Sequence, residues 1–294
     1  MNASLLPLYA SALLTRRMRS LAQSLQDRAD QFDARRSLTA QQREVLLRNA
    51  PLRKKHKGRA AYVIVNGPSL ADQDILRLKD DITFVVSGFW KHDAVLTWQP
   101  TYYSLLDANF FADTPATEAF YKNLYERIHA STFFVPLYRG FDAVHKRQIL
   151  PADLTHYVAS VGWQTPGNDL TGFVQSFAGV SSFALSQAIY MGCSPIYLLG
   201  FDHDYLANRG IDRHFYKGGT IPGQKDTDVP LADRVPYDVE MQANVRLWQN
   251  YRVLKAIAER QGTQIFNATR GGYLDVFPRV DFDTLGTGAA SAPR

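Results

Sequence analysis

The stretch AYVIVNGPSLADQDILRL (residues 61–78) decides the fold. Five residues of strand-forming type, Ala61 to Val65, stop abruptly at Asn66-Gly67-Pro68-Ser69, and an apolar pattern of wider spacing resumes at Leu70. A short continuous apolar run bounded by Gly and Pro reads as a buried strand, and the segment as a whole reads as strand, tight turn, helix. Working outward, ITFVVSGF (82–89) and TYYSLL (101–106) are two further buried strands, the second closing on Asp107. Residues 114–130 read as an amphipathic helix followed by the strand-like TFFVPLY (132–138), and the rest of 139–165 has no clear pattern. The small-residue run VSSFALSQAIYMG (180–192) predicts a helix with Gly192 just past its end, leading into the strand PIYLLGFD (195–202). Residues 208–237 read as loop, EMQANVRLWQNYRVLKAIAERQG (240–262) as the clearest helix, and TQIFNAT (263–269) as a last short strand. Strands alternating with helices, each strand a near-continuous apolar run, predict an α/β fold: a Rossmann-like, mostly parallel sheet with helices on both faces.

The composition agrees with a folded core and excludes several classes. Of 294 residues 46% are hydrophobic, 12% aromatic and 21% charged, which argues against a disordered chain. A single cysteine, Cys193, excludes an internal disulfide framework and a polythiolate zinc site. No apolar run approaches the roughly 18 residues of a spanning helix. Arg16, Arg17 and Arg19 follow the first apolar stretch instead of preceding it, so the start does not read as a secretory signal and the expected address is cytoplasmic.

Charge divides the chain. Residues 1–59 hold 13 Lys+Arg against 4 Asp+Glu, a balance of 13 − 4 = +9, whereas the remainder holds 20 against 24, or −4. Leu5, Leu6, Tyr9, Leu13 and Leu14, then Met18, Leu21 and Leu25, recur at helical spacing, and a second helix starts after Ser37 and ends near 49–51. The sequence therefore divides into a basic helical segment (1–59), a Rossmann-like body (60–282) and a tail (283–294). Two readings of the head stand side by side: an anionic membrane surface as partner, peripheral at the inner membrane, or solvated helices packed on the body. No pattern points to nucleic acid.

Ligands of open parallel sheets bind at the carboxyl ends of the strands, so the strand endings form the shortlist of chemistry. In the Asn66-Gly67-Pro68-Ser69 turn, Gly67 permits a bend closed to other residues, Pro68 presets a helical φ and Ser69 can cap the next helix. Amides at such a turn can seat a phosphate, or the turn can be purely structural. The segment is neither GxGxxG nor a Walker loop. Asp107 can accept from a ribose or an amino group, or cap the helix after it. Asp202-His203-Asp204 can be read as a divalent-ion motif, although residues two apart on an extended segment face opposite sides. His214 is a candidate general base or acid on a loop beyond the strand, or a histidine packed beside Phe215 and Tyr216.

These residues carry a resemblance. HKGRAAYVIVNGPSL, YYSLLDANFF, SSFALSQAIYMG and PIYLLGFDHDY, in this order over residues 55–275, resemble the bacterial lipo-oligosaccharide sialyltransferases and the hydroxymethylpterin diphosphokinase MptE-like family. The resemblance implies a GT-A-like variant of the Rossmann architecture and, in the first family, transfer of a CMP-activated acidic sugar to a glycan acceptor in lipopolysaccharide or capsule assembly. It implies that Asn66, Gly67, Pro68 and Ser69 hold the donor phosphate, with Val65 replacing the family's leading glycine. Ser87 and Asp107 stand where the family has nucleotide-contacting asparagines, and Gly179, Val180 and Ser181 where a small-residue stretch approaches the cytidine. His214 falls at the catalytic histidine and Asp202 in the strand-end motif that orders the site. Beyond the resemblance, Tyr216 and Lys217 are candidates to stabilise the leaving phosphate. The nucleotide-sugar donor is a co-substrate, and no metal or other cofactor is required. The second family implies a magnesium-dependent diphosphokinase built on Asp107, Asp202 and Asp204. A non-catalytic nucleotide- or carbohydrate-binding accessory protein is the third reading.

Overall fold

The computed structural model describes residues 6–163, 167–209, 211, 213–217, 221–222 and 235–286. Eight strands form one all-parallel sheet: β1 (Ala61–Ile64), β2 (Ile82–Val86), β3 (Tyr102–Ser104), β4 (Thr132–Pro136), β5 (Thr155–Ser160), β6 (Phe173–Val174), β7 (Ile196–Leu199) and β8 (Ile265–Asn267). Their spatial order is β6-β5-β4-β3-β2-β1-β7-β8. The chain walks outward from β1 to β6, then returns to lay β7 against the other side of β1, with Ile64 opposite both Val85 and Leu199. The switch point of the topology therefore lies between β1 and β7.

Every residue of β1, β2 and β7 is buried, because helices cover both faces. Alternation along β1 sends Tyr62 and Ile64 into one core and Ala61 and Val63 into the other. The first core is closed by α2 (Ala40–Leu47), α3 (Pro115–Arg127) and α4 (Leu137–Arg147) through Val45, Leu46, Phe120, Leu124, Phe141 and Val144. The second is closed by α5 (Val180–Tyr190) and α6 (Tyr237–Arg260) through Phe183, Leu185, Tyr251 and Leu254. Full burial of each such side chain contributes about 1.5–3 kcal/mol, which lets tertiary packing override weak local propensity. In α5, residues Ser181 to Tyr190 are all buried, and Ser182 and Ser186 satisfy their hydroxyls on the carbonyls of Gly179 and Phe183. That is the physical reason for its small-residue composition.

Several expectations need correction. The helix predicted after the 66–69 turn is two short 3-10 segments, Pro68–Asp72 and Ile75–Leu78. TFFVPLY is strand only to Pro136; Leu137 begins α4. The first helix, α1 (Leu6–Ser37), runs without a break, and α2 starts at Ala40 under Thr39, whose hydroxyl accepts the Gln42 amide in a reciprocal capping box. Part of the head packs on the body: Leu38, Val45, Leu46 and Leu52 belong to the two cores, and the Asn49 amide donates to the carbonyls of Tyr157 and Leu170 at 2.7 Å each. Residues 287–294 of the tail lie outside the described residues, and Phe282, near its start, is buried. Among the described residues, no helix is long and apolar enough to cross a membrane.

Candidate functional site

The switch point between β1 and β7 is closed by the protein itself. Gly67 donates its amide to the Gly200 carbonyl at 3.0 Å, and Leu70 donates to the Gly67 carbonyl at 3.1 Å. The Asp202 carboxylate accepts the Ser69 amide at 3.2 Å and the Ser69 hydroxyl at 2.8 Å. Pro68 has no amide to offer. The turn expected to seat a phosphate thus commits its amides at 67, 69 and 70 inside the protein. Gly67 is required for a different reason from the one anticipated. Its φ is −61°, open to any residue, but a Cβ would overlap Oδ2 of Asp202 and the Gly200 carbonyl oxygen. Asp202 is 7% exposed, and burial pushes its carboxyl above the usual range while the two Ser69 donors pull it back. Asn66 donates its side-chain amide to the Val86 carbonyl at 3.2 Å, and its Oδ1 is buried with no hydrogen-bond partner among the described residues.

The open space lies beside this plug, over the carboxyl ends of β2 and β3. A cavity of about 450 Å³ is lined by Ser87, Asp107, Arg139, Gly179, Val180, His214 and Tyr216, with Leu106, Phe110, Phe177, Ala178, Ile221 and Pro222 forming its apolar walls. Six of the residues singled out from sequence meet here: Ser87, Asp107, Gly179, Val180, His214 and Tyr216. Asn66, Gly67, Pro68, Ser69, Ser181 and Asp202 do not line it. Ser181 instead exchanges a 2.6 Å hydrogen bond with the Tyr251 hydroxyl.

Each wall has a local cause. Ser87 follows β2 directly with φ +46°, a left-handed conformation that a serine holds only under constraint. The Tyr103 hydroxyl supplies that constraint, donating to the Ser87 carbonyl at 2.6 Å while accepting the Trp90 amide. Asp107 caps the 3-10 turn Ala108–Phe111 by accepting the Asn109 amide at 2.9 Å with Oδ1. Gly179 precedes α5 as its N-cap, and no side chain among the described residues caps that helix. Gly179 and Val180 both line the cavity, so the uncapped start of α5 borders it.

His214 does not sit on a loose loop. Arg213, one residue before it, forms a salt bridge with Asp204 at 2.6 Å. One residue after it, the Phe215 amide donates to the Asn66 carbonyl at 3.0 Å, and the Phe215 ring packs on Phe89 and His92. The imidazole itself stacks on Tyr216 with centroids 5.1 Å apart. The Tyr216 hydroxyl lies so close to Gly88 that a Cβ there would overlap it. The loop is therefore tied to the ends of β1, β2 and β7 at once.

The two carboxylates of the divalent-ion reading at 202–204 have separate protein partners. Asp202 is engaged by Ser69, and Asp204 by Arg213 and by Asn208, whose side-chain amide donates at 3.0 Å. Between them His203, at φ +48°, turns the other way and shares a 2.7 Å hydrogen bond with Tyr251. Of the diphosphokinase carboxylates only Asp107 reaches the cavity. Among the described residues no group of three or more His, Cys, Asp or Glu gathers to hold a metal ion.

Sequence reading missed Arg139. It stands in the first turn of α4, three residues beyond the end of β4, and among the described residues no salt bridge or hydrogen bond occupies its guanidinium. Arg147, at the other end of α4, ties the helix to the cavity's edge by donating to the carbonyls of Phe111 and Ala112 and pairing with Asp113 at 3.3 Å. The one signal in the sequence is that TFFVPLY passes through Pro136, after which a parallel strand cannot continue in its ladder.

No protein-family model matches the chain, and no curated protein matches it. Among solved structures, the chain is similar to the MAf glycosyltransferase of Magnetospirillum magneticum over 84% of its own length, with 15% identity and a TM-score of 0.46. It spans 39% of that protein, well under half. It is also similar to the sialyltransferase CstII of Campylobacter jejuni: 81% of this chain and 91% of CstII in its cytidine-5'-monophosphate complex, with 14% identity and a TM-score of 0.48. For CstII with a trisaccharide acceptor and CMP the coverage is 80% and 91%, with 12% identity and a TM-score of 0.46.

Proposed function

We propose that the chain is a glycosyltransferase of bacterial surface-glycan assembly, moving an acidic sugar from a CMP donor to a hydroxyl of a glycan acceptor. The observation that carries this reading is convergence. Uncapped helix amides, a guanidinium with no partner among the described residues and an imidazole fixed from both sides meet in one cavity at the carboxyl edge of the sheet.

A CMP-activated acidic sugar presents two anions, the bridging phosphate and the sugar carboxylate. The α5 N-terminus suits the phosphate, since amide dipoles there stabilise negative charge that grows as the leaving group departs. Arg139 suits the carboxylate through a paired, charge-assisted contact. Asp107 has one oxygen committed to its cap and the other available to accept from the ribose, and Ser87 closes the same side. In transfer, the acceptor oxygen forms a bond to the anomeric carbon while the carbon–oxygen bond to phosphate breaks. The electron pair leaves with CMP, and His214 takes the acceptor's proton. Tyr216 keeps the imidazole oriented by stacking. Asn66, Gly67, Ser69 and Asp202 act one layer below, fixing the backbone on which the His214 loop hangs.

Thermal unfolding with CMP, CDP, UDP, GDP and ATP, with and without magnesium, tests the reading. A saturating specific ligand stabilises by a few kcal/mol. CMP alone should shift the transition, and a CMP-linked acidic sugar with an acceptor should release CMP. Stabilisation by ATP with magnesium and not by CMP would replace this reading with the diphosphokinase. Retained CMP affinity with no turnover on any donor would leave a binding protein.

A further inference from the structure

Helix α1 turns its apolar stripe away from the body. Leu14, Met18, Leu21, Leu25 and Phe32 are each 57–63% exposed along one edge of the helix. The side that meets the body is different: Asp27 is buried against Gly162, and Asp30, Gln31 and Ala34 are half-buried. At about 100° per residue the two sets lie roughly 150° apart around the helix axis. Packing on the body therefore explains the polar edge of α1 and leaves the apolar one unexplained.

The spacing of the stripe identifies its occupant. Positions 14, 18, 21, 25, 28 and 32 alternate steps of four and three, the seam of a heptad repeat, with Arg28 the one polar member. We propose that this seam pairs with the same seam of a second copy of the chain, in an antiparallel two-helix contact about a two-fold axis between Leu21 and Leu25. Three features support a second copy. Of the six residues flanking the seam, Thr15, Ala22, Ser24, Ala29 and Gln31 are small or uncharged, and Arg17 is the single charge. An isologous contact needs one self-complementary surface, and Leu14 meets Phe32 and Leu21 meets Leu25 when the seam is reversed on itself. Five side chains exposed to this degree offer on the order of 500 Å² per copy, about 1,000 Å² for the pair, the area of a weak, reversible dimer. Charge sets the direction. Residues 14–20 carry Arg16, Arg17 and Arg19 and no acid, +3, while residues 26–32, which face them about this axis, carry one Arg and two Asp, 1 − 2 = −1. Parallel pairing places +3 beside +3; antiparallel pairing places +3 beside −1.

Sedimentation velocity of the full chain over a dilution series should show a monomer–dimer equilibrium. The double substitution Leu21→Glu/Leu25→Glu should give monomer at every concentration, with the circular dichroism unchanged and, at dilutions where the wild type is itself monomeric, the same urea midpoint, because the stripe faces outward. Mixing Leu14→Cys with Phe32→Cys under oxidation should yield a covalent dimer, whereas Leu14→Cys alone should not. Cys193 does not compete, since it is buried and its thiol is pushed up to about 12. A wild-type chain that stays monomeric, or a dimer indifferent to the double substitution, overturns the proposal. Self-crosslinking of Leu14→Cys overturns the antiparallel order. A monomer that pellets with phosphatidylglycerol vesicles, and loses this with the double substitution, assigns the stripe to an anionic membrane instead.

Discussion

Both oxygens of the Asp202 carboxylate are taken by a single residue, Ser69, whose amide donates at 3.2 Å and whose hydroxyl donates at 2.8 Å. The two residues end adjacent strands, β7 and β1, and stand 133 positions apart in sequence. Their bond fills the crevice at which an open parallel sheet ordinarily receives its ligand. The effect is to shift the open cavity one strand over, to β2 and β3, and to make the β1 turn a support for the His214 loop through the Asn66 carbonyl.

Breaking this lock should lower stability before it affects chemistry. Asp202→Ala leaves two buried donors of Ser69 without an acceptor, at about 1–3 kcal/mol each. Gly67→Ala should be at least as damaging, because the added carbon overlaps the same carboxylate and the rigid Gly200 carbonyl. Urea midpoints should fall for both. Ser69→Ala, which keeps the amide bond and loses only the hydroxyl, should fall less. A wild-type midpoint for Gly67→Ala would mean that the close approach is not rigid.

His214→Ala should lower turnover about 10²–10⁴-fold, the usual contribution of a positioned general base, with little change in CMP affinity. Phe89→Ala or His92→Ala, which loosen the packing of Phe215, should raise KM and lower kcat together by disordering the loop. Calorimetry with CMP beside steady-state kinetics separates the two effects. Full activity in His214→Ala would remove the proposed base.

The sequence is most legible where one residue's local rule and the global fold ask for the same thing. AYVI, ITFVV and IYLL are apolar on both faces because helices cover both, so continuous apolar runs lead directly to a parallel sheet. It is less legible where the tertiary partner decides. Nothing within NGPSL reveals that Ser69's donors face Asp202 and not an exogenous anion, since a carboxylate and a phosphate satisfy the same amides. The helix expected at 70–78 is replaced by two 3-10 turns: Gln73 is extended between them, and Asp74 starts the second by accepting the Leu76 amide. Strands β5 and β6 leave no clear pattern, since THYVAS mixes polar and apolar residues and β6 is two residues long. His214, Ser87 and Asp107 are marked by their order in the chain, whereas Arg139 has no such marker.

Acid should destabilise the protein through histidines that the fold keeps neutral. Burial lowers His203, His56 and His156 to about 4 from an ordinary 6.5. Below pH 6.5 the unfolded chain binds these protons and the folded one does not, so stability falls between pH 6.5 and about 4 and is level above 6.5. For His203, the most buried, the full effect is about 3 kcal/mol. His203→Asn tolerates the left-handed backbone and does not titrate, so its urea midpoint should fall less than wild type between pH 7 and pH 5. Parallel curves for the two proteins would show that His203 is not the group responsible.

Arg139 distinguishes an acidic sugar from a neutral one. Its guanidinium faces the cavity without a partner among the described residues, and α4 holds it there from the far end through Arg147. Loss of a charge-assisted pair costs about 1.5–3 kcal/mol, so Arg139→Leu should reduce kcat/KM for a CMP-linked acidic sugar roughly 10- to 150-fold. Affinity for CMP itself, which lacks the carboxylate, should stay within about twofold. Arg139→Lys should recover only part of the loss, because a point charge cannot reproduce the forked geometry. If Arg139→Leu weakens CMP and the CMP-sugar equally, the guanidinium is holding the phosphate and α5's amides are not. If neither changes, the cavity's cation plays no part in donor recognition, and the acidic character assigned to the sugar loses its support.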